Sequence, residues 1–278
     1  MTAEIRAIRN WFLDMDGTVY LGNELIPGAR AFIEEVRAGG GRAIFLTNNS
    51  SRSPRDYAEK LGRLGIETPE EDVFTSGDAA ALMLARRFGR GARGYVLGTP
   101  SLEDLLRREG FALVGENADP QFVLLGFDQT LTYEKLRIAC DYLFAGVPFF
   151  ATHPDRVCPT ERGFIPDAGA MLALFRTATG AEAEIAGKPE RMMAEAAFAR
   201  YGIAPEETAM VGDRLSTDIA FANRSGLTAV LVLSGETSAA DYAAQRDVRA
   251  DYIFDSVNEL RRAVFGPRGQ ERGEGPCF

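Results

Sequence analysis

Trp11-Phe12-Leu13-Asp14-Met15-Asp16-Gly17-Thr18 is the stretch from which the rest of this chain can be read. Its three apolar residues form a short strand, in which successive side chains point to opposite faces. Asp14 and Asp16, two residues apart, therefore leave the strand on the same side of the backbone. Gly17 lets the chain swing away and leaves peptide groups open. Carboxylates so placed can share one metal-bound phosphate, one attacking phosphorus and the other handling a proton. Taken alone, the stretch also reads as a polar turn that ends a strand.

Working outward, apolar runs at 11–13, 43–47 and 72–75 alternate with helical stretches, one starting near Pro27 and one running from Ser53-Pro54 to Gly65. Later runs at 184–186, 208–212, 228–233 and 252–254 are joined by helices over 191–201 and 218–224. Such alternation predicts an α/β fold with parallel pairing, and continuous apolar strands predict a sheet covered on both faces. The expected architecture is a Rossmann-like, doubly wound parallel sheet core. A helix over 78–87 leads into a second α/β run, with strands at 95–97, 111–114, 122–127 and 147–152 and helices over 102–109 and 133–144. This middle reads as an inserted domain spanning 79–185, with the core formed by 1–78 and 186–265 and a flexible, glycine-rich, charged tail over 266–278. Gly89-x-Gly91-x-x-Gly94 matches a dinucleotide fingerprint in form only, because it follows a helix and enters a strand.

Bulk properties narrow the function. A net charge of -9 argues against nucleic acid or an anionic membrane as a partner. Three scattered cysteines, Cys140, Cys158 and Cys277, fit a reducing compartment. With no signal-like start and no membrane-length apolar run, the expected location is cytoplasmic. His153 is the single histidine, so any Ser-His-Asp or Cys-His nucleophile would have to use it, and a two-histidine metal site is excluded.

Three further clusters follow the ends of core strands, where open α/β sheets bind ligands. Thr47-Asn48-Asn49-Ser50 offers hydroxyl, amide and backbone donors as an anion cradle, although taken alone the run reads first as a cap for the next helix. Lys188, fixed between Gly187 and Pro189, can balance phosphate charge or sit on the surface. Gly212-Asp213-Arg214-Leu215-Ser216-Thr217-Asp218 brings two more acids. Like charges 4 Å apart repel by about 4 kcal/mol at an effective dielectric near 20. Asp14, Asp16, Asp213 and Asp218 would therefore converge only around a cation, and an all-oxygen set beside phosphate favours Mg²⁺.

The order DxDGT, TNNS, GKP and GDRLSTD resembles the four motifs of the haloacid dehalogenase (HAD) superfamily, and its NagD-like / p-nitrophenyl phosphatase branch in particular. The resemblance covers nearly the whole chain except the tail. It implies a hydrolase, a phosphatase of small phosphorylated metabolites, with Asp14 as nucleophile and Asp16 as acid/base that also lends its backbone carbonyl to Mg²⁺. Thr47, Asn48 and Asn49 would hold the phosphoryl group. Lys188 would neutralise charge, and Asp213 and Asp218 would complete the metal site. The insert would be the branch's large α/β cap domain, closing over the site. Its loop containing His153, Asp155 and Arg156 would set specificity, and a homodimer through the cap would fit the pattern. The competing functions are a phosphotransferase or mutase using the same aspartyl-phosphate, and a non-catalytic phosphate-binding protein.

Overall fold

A computed structural model describes residues 2–160 and 162–267, so the expected tail from 268 onward lies outside the described residues. Six parallel strands form the first sheet, in the order Tyr252–Phe254, Thr228–Val232, Thr208–Gly212, Asn10–Leu13, Arg42–Thr47, Val73–Thr75. The chain winds from the Asn10–Leu13 strand toward one edge, leaves the sheet, and returns on the other side to wind toward the opposite edge. Winding direction therefore reverses between Asn10–Leu13 and Thr208–Gly212, which pair with Leu13 opposite Val211. Side-chain alternation gives the sheet two covered faces. Trp11, Leu13, Phe45 and Val211 enter one apolar cluster, while Phe12, Ile44, Leu46 and Met210 enter another.

The middle of the chain forms a second parallel sheet in the order Glu184–Ile185, Phe149–Ala151, Phe122–Leu125, Arg93–Leu97, Ala112–Leu113. Here too the winding reverses, between Arg93–Leu97 and Phe122–Leu125. The expectation that 184–186 belongs with the late strands of the first sheet is corrected. Glu184–Ile185 pairs with Phe149–Ala151, and the Ala186 and Gly187 N–H groups continue the tie to Ala151 O (3.0 Å) and Thr152 O (2.7 Å). Three apolar-leaning residues carry no record of which sheet they join; the partner decides it. Sequence reading also passed over a hairpin of Val157–Thr160 with Gly163–Pro166 and the helix Ala168–Thr179 that follows it.

The sheets are not separately packed. The helix Ser76–Phe88, capped by a reciprocal Thr75–Asp78 box, supplies Ala79, Met83 and Leu84 to one apolar cluster. That cluster includes Phe12 and Ile44 of the first sheet and Val96, Phe122 and Phe150 of the second. Among the described residues, no helix is long and apolar enough to cross a membrane.

Candidate active site

Reversal of winding opens a crevice at the carboxyl ends of the two strands beside it. Asp14 follows one of these strands and Asp213 the other, and the Asp14 N–H donates to Val211 O (2.9 Å), which locks the two ends together. Gly17 adopts φ +87°, and a side chain there would collide with the Asp213 carboxylate, so the turn after Asp16 closes tightly over the acid. Ser234 secures this turn by donating to Gly17 O (2.7 Å).

Lys188 reaches the crevice from the link between the sheets. Its side chain is 2 % exposed, and Nζ lies 2.6 Å from both Asp14 Oδ1 and Asp218 Oδ1. Asn48 clamps the lysine backbone from both sides: Oδ1 accepts from Lys188 N–H (2.8 Å) and Nδ2 donates to Lys188 O (2.9 Å). Burial opposes the lysine charge, but the two carboxylates outweigh it and hold Lys188 protonated, with its pKa raised.

One ammonium does not neutralise the acids. One oxygen from each of Asp14, Asp213 and Asp218 lies within 4.8 Å of the others. Burial first, then the charges of Asp14 and Asp218, pushes the Asp213 carboxyl up to about 8. Burial likewise raises Asp14 to about 6 against the pull of Lys188. Asp213 Oδ2 accepts from Glu236 N–H (2.7 Å), whereas Oδ1 is buried and has no hydrogen-bond partner. A buried carboxylate with one oxygen left without a donor, grouped with two more carboxylates, fits a hard divalent cation. Asp16 is not part of this trio; its side chain opens onto the cleft beside it, where partial burial raises its pKa and Lys60 opposes the rise.

The cleft above the acids has a volume of about 610 Å³. Thr47, Asn48 and Asn49 line it, but their side chains have tasks within the protein. Thr47 Oγ1 accepts from Asn49 N–H (3.1 Å), and Asn49 Oδ1 accepts from the Ser51 N–H (2.9 Å) and hydroxyl (2.7 Å). Asn48 is the clamp on Lys188.

Of the three cap residues expected to set specificity, only Asp155 lines the cleft, its carboxylate 3.3 Å from Asn48 Nδ2. His153 corrects the expectation. It is fully buried, with Nε2 2.9 Å from Asp167 Oδ1 and Nδ1 2.8 Å from Thr152 Oγ1, so both ring nitrogens are already in use. Arg156 is exposed and outside the cleft lining, directly before the hairpin that starts at Val157. Sequence reading gave no role to Arg214, which lines the cleft, pairs with Glu236 at 3.0 Å and lies 4.0 Å from Asp155. Its place directly after Asp213 was the available signal. Tyr57, Lys60 and Arg63 of the helix Pro54–Arg63 also line the cleft, and no motif had marked them.

Comparison with known proteins identifies the family. Residues 11–112 match a model described as haloacid dehalogenase-like hydrolase, and 185–260 match a HAD-hydrolase-like model. The chain is 36 % identical over 255 residues to the 5'-nucleotidase YutF of Bacillus subtilis, covering 92 % of this chain and 98 % of that one. A 4-nitrophenylphosphatase from Thermotoga maritima superposes with a TM-score of 0.89 at 40 % identity, covering 94 % of this chain and 99 % of its own. A glycerol phosphate phosphatase from Mycobacterium tuberculosis, solved in complex with magnesium, superposes with a TM-score of 0.87 at 35 % identity, covering 94 % and 77 %.

Proposed function

This chain belongs to the haloacid dehalogenase-like hydrolase family, and on that premise we propose that it is a phosphoric monoester hydrolase acting on a small phosphorylated metabolite through an aspartyl-phosphate on Asp14. The observation that carries the proposal is the convergence of Lys188 with Asp14, Asp213 and Asp218 at the crevice, with Asp213 Oδ1 left unpartnered.

An Asp14 carboxylate oxygen attacks phosphorus, and the bond from phosphorus to the ester oxygen breaks. Asp16, with its raised pKa, gives its proton to the departing alkoxide. It then takes a proton from the water that attacks the aspartyl-phosphate, which releases phosphate and restores the Asp14 carboxylate. Lys188 fixes the attacking carboxylate in place and shields it from the incoming phosphate charge. Asp213, Asp218, Asp14 and the Asp16 backbone carbonyl would hold Mg²⁺, which when bound offsets charge on the transferring group. Enzymatic hydrolysis of phosphate monoesters exceeds the uncatalysed rate by up to about 10²¹, while acid/base help supplies about 10²–10⁴. Most of the acceleration must therefore come from placement and charge, which a fixed, buried lysine and a divalent ion held by the acids would provide.

Wild-type protein with Mg²⁺ should release phosphate from p-nitrophenyl phosphate with water as the sole acceptor, which separates hydrolysis from transfer to an alcohol. Asp14→Asn should still bind the ester and release no phosphate; turnover at the wild-type rate in that variant would remove Asp14 as nucleophile.

A further inference from the structure

The proposed reaction accounts for the floor of the cleft but not for one of its walls. Arg52, Lys60 and Arg63 all line the cleft, from the loop and helix that follow Asn49. Lys60 and Arg63 are one turn apart, so they share a helix face. Among the described residues none of the three has an ion-pair partner, although the neighbouring Arg55 pairs with Glu59 at 3.0 Å. Lys60 is held in place by an aromatic ring, with Nζ 3.7 Å from the centroid of buried Tyr20. Partial burial lowers its pKa, Asp16 opposes that fall, and Arg52 and Arg63 add to it, so the cations sit close enough to repel.

A chain with net charge -9 has carboxylates to spare for its cations, yet along this wall only Asp16 acts on Lys60, at longer range than an ion pair, and Arg52 and Arg63 make no ion pair among the described residues. The hairpin residues Val157, Pro159 and Ile165 that also line the cleft carry no charge. The scissile phosphate is accounted for at the floor, beside Asp14 and Lys188. Lys60, which neighbours both Arg52 and Arg63, is also a cation that acts on Asp16, and the leaving group must project past Asp16 if Asp16 is to protonate it.

We propose that Arg52, Lys60 and Arg63 bind a second anionic group on the leaving group, so that the preferred substrates are phosphomonoesters carrying an additional carboxylate or phosphate. This inference rests on the hydrolase reading above and names its substrate class. A neutral leaving group, by contrast, would leave the wall to water and counter-ions. Because the wall is open to solvent, its pull is electrostatic and falls with ionic strength.

Matched pairs of esters test it: glycerol 3-phosphate against 3-phosphoglycerate for a carboxylate, and fructose 6-phosphate against fructose 1,6-bisphosphate for a phosphate. Wild type should favour the charged member of at least one pair in kcat/KM, and the pair that shows the preference identifies the anion. Lys60→Gln with Arg63→Gln should reduce that preference about tenfold, the usual scale for losing charge-assisted hydrogen bonds to an anion, mainly through KM. Raised salt should erode the preference in wild type more than in the variant. A wild type that hydrolyses both members of each pair equally well would overturn the inference and leave the hydrolase reading standing. So would a double variant that keeps the wild-type preference while melting at the wild-type temperature. A wild type that releases phosphate from no ester would remove the hydrolase reading, and the substrate class with it.

Discussion

The chain builds two crevices of the same topological kind and uses them in opposite ways. In the first sheet, winding reverses beside Asp14 and Asp213, and the crevice is open and acidic. In the second, it reverses beside Gly98 and Gly126, and the crevice is filled by the protein itself. A side chain at either glycine would strike Leu102, and Ser50 Oγ enters the gap to accept from Phe127 N–H (3.0 Å). Thr99 Oγ1 donates to Ser51 O (2.9 Å). The second crevice therefore receives the Thr47–Ser51 loop of the first sheet and fixes it in place. Polar residues nearby are fully bonded: Asp128 accepts from the Thr130 N–H and hydroxyl and pairs with Lys135 at 2.7 Å. Strand-end position thus marks where a ligand can bind, and of the acids at the two crevices the one with an unbonded oxygen stands at the open one. Asp213 Oδ1 has no partner, whereas Asp128, equally buried, lacks none.

The contrast is broken most directly at Asp213. Asp213→Asn should lower Mg²⁺-dependent phosphate release by about 10³ or more, the scale of losing one charge-stabilising group. In chelator the same variant should melt at or above the wild-type temperature, because a strained carboxylate has gone. A lower melting temperature would mean that Asp213 is structural. His153→Ala should do the reverse, costing about 2–4 kcal/mol of stability through a cavity and stranded partners, while leaving the ranking across an ester panel unchanged. A changed ranking would return His153 to the cleft. Asp128→Asn should cost about 1–3 kcal/mol in denaturant melts by leaving Lys135 without its counter-charge.

Proton linkage sharpens the same contrast. Asp14 and Asp213 ionise near 3.8 when unfolded but at about 6 and about 8 when folded without metal. Between those limits the folded chain keeps protons that the unfolded chain has released, so these acids destabilise it as pH rises from about 4 to about 8. Mg²⁺ should therefore raise the melting temperature more near pH 8 than near pH 5, and Asp213→Asn should shrink that difference; an equal gain at both would refute the strained-acid account. The smallest effect belongs to the wall helix: Ser53→Ala removes a reciprocal cap and should cost about 1 kcal/mol in a urea titration.

Much of the fold was legible because its strands are unbroken apolar runs and its acids stand at their ends. Asp14, Lys188, Asp213 and Asp218 could be found from order along the chain, since each belongs to a short run with a physical reason to leave a strand. His153 could not be placed, because a histidine in a polar loop looks the same whether it faces a cleft or an internal aspartate fourteen residues on. Arg156 failed for a similar reason: the Val157–Thr160 hairpin strand pairs with Gly163–Pro166, and that pairing, which directs side chains, leaves little trace in single residues. Lys60 and Arg63 were hidden by ordinariness, being basic residues in the last turn of a helix, where the dipole alone would favour them.

The apolar cluster running from Phe12 through the helix Ser76–Phe88 to Phe150 bears on how this architecture can be re-engineered. Grafting a relative's middle segment onto this chain would bring foreign side chains into the cluster that Met83 and Leu84 share with the native Val96, Phe122 and Phe150. A chimera that transplants substrate preference must therefore carry the bridging helix Ser76–Phe88 along with the sheet it supports.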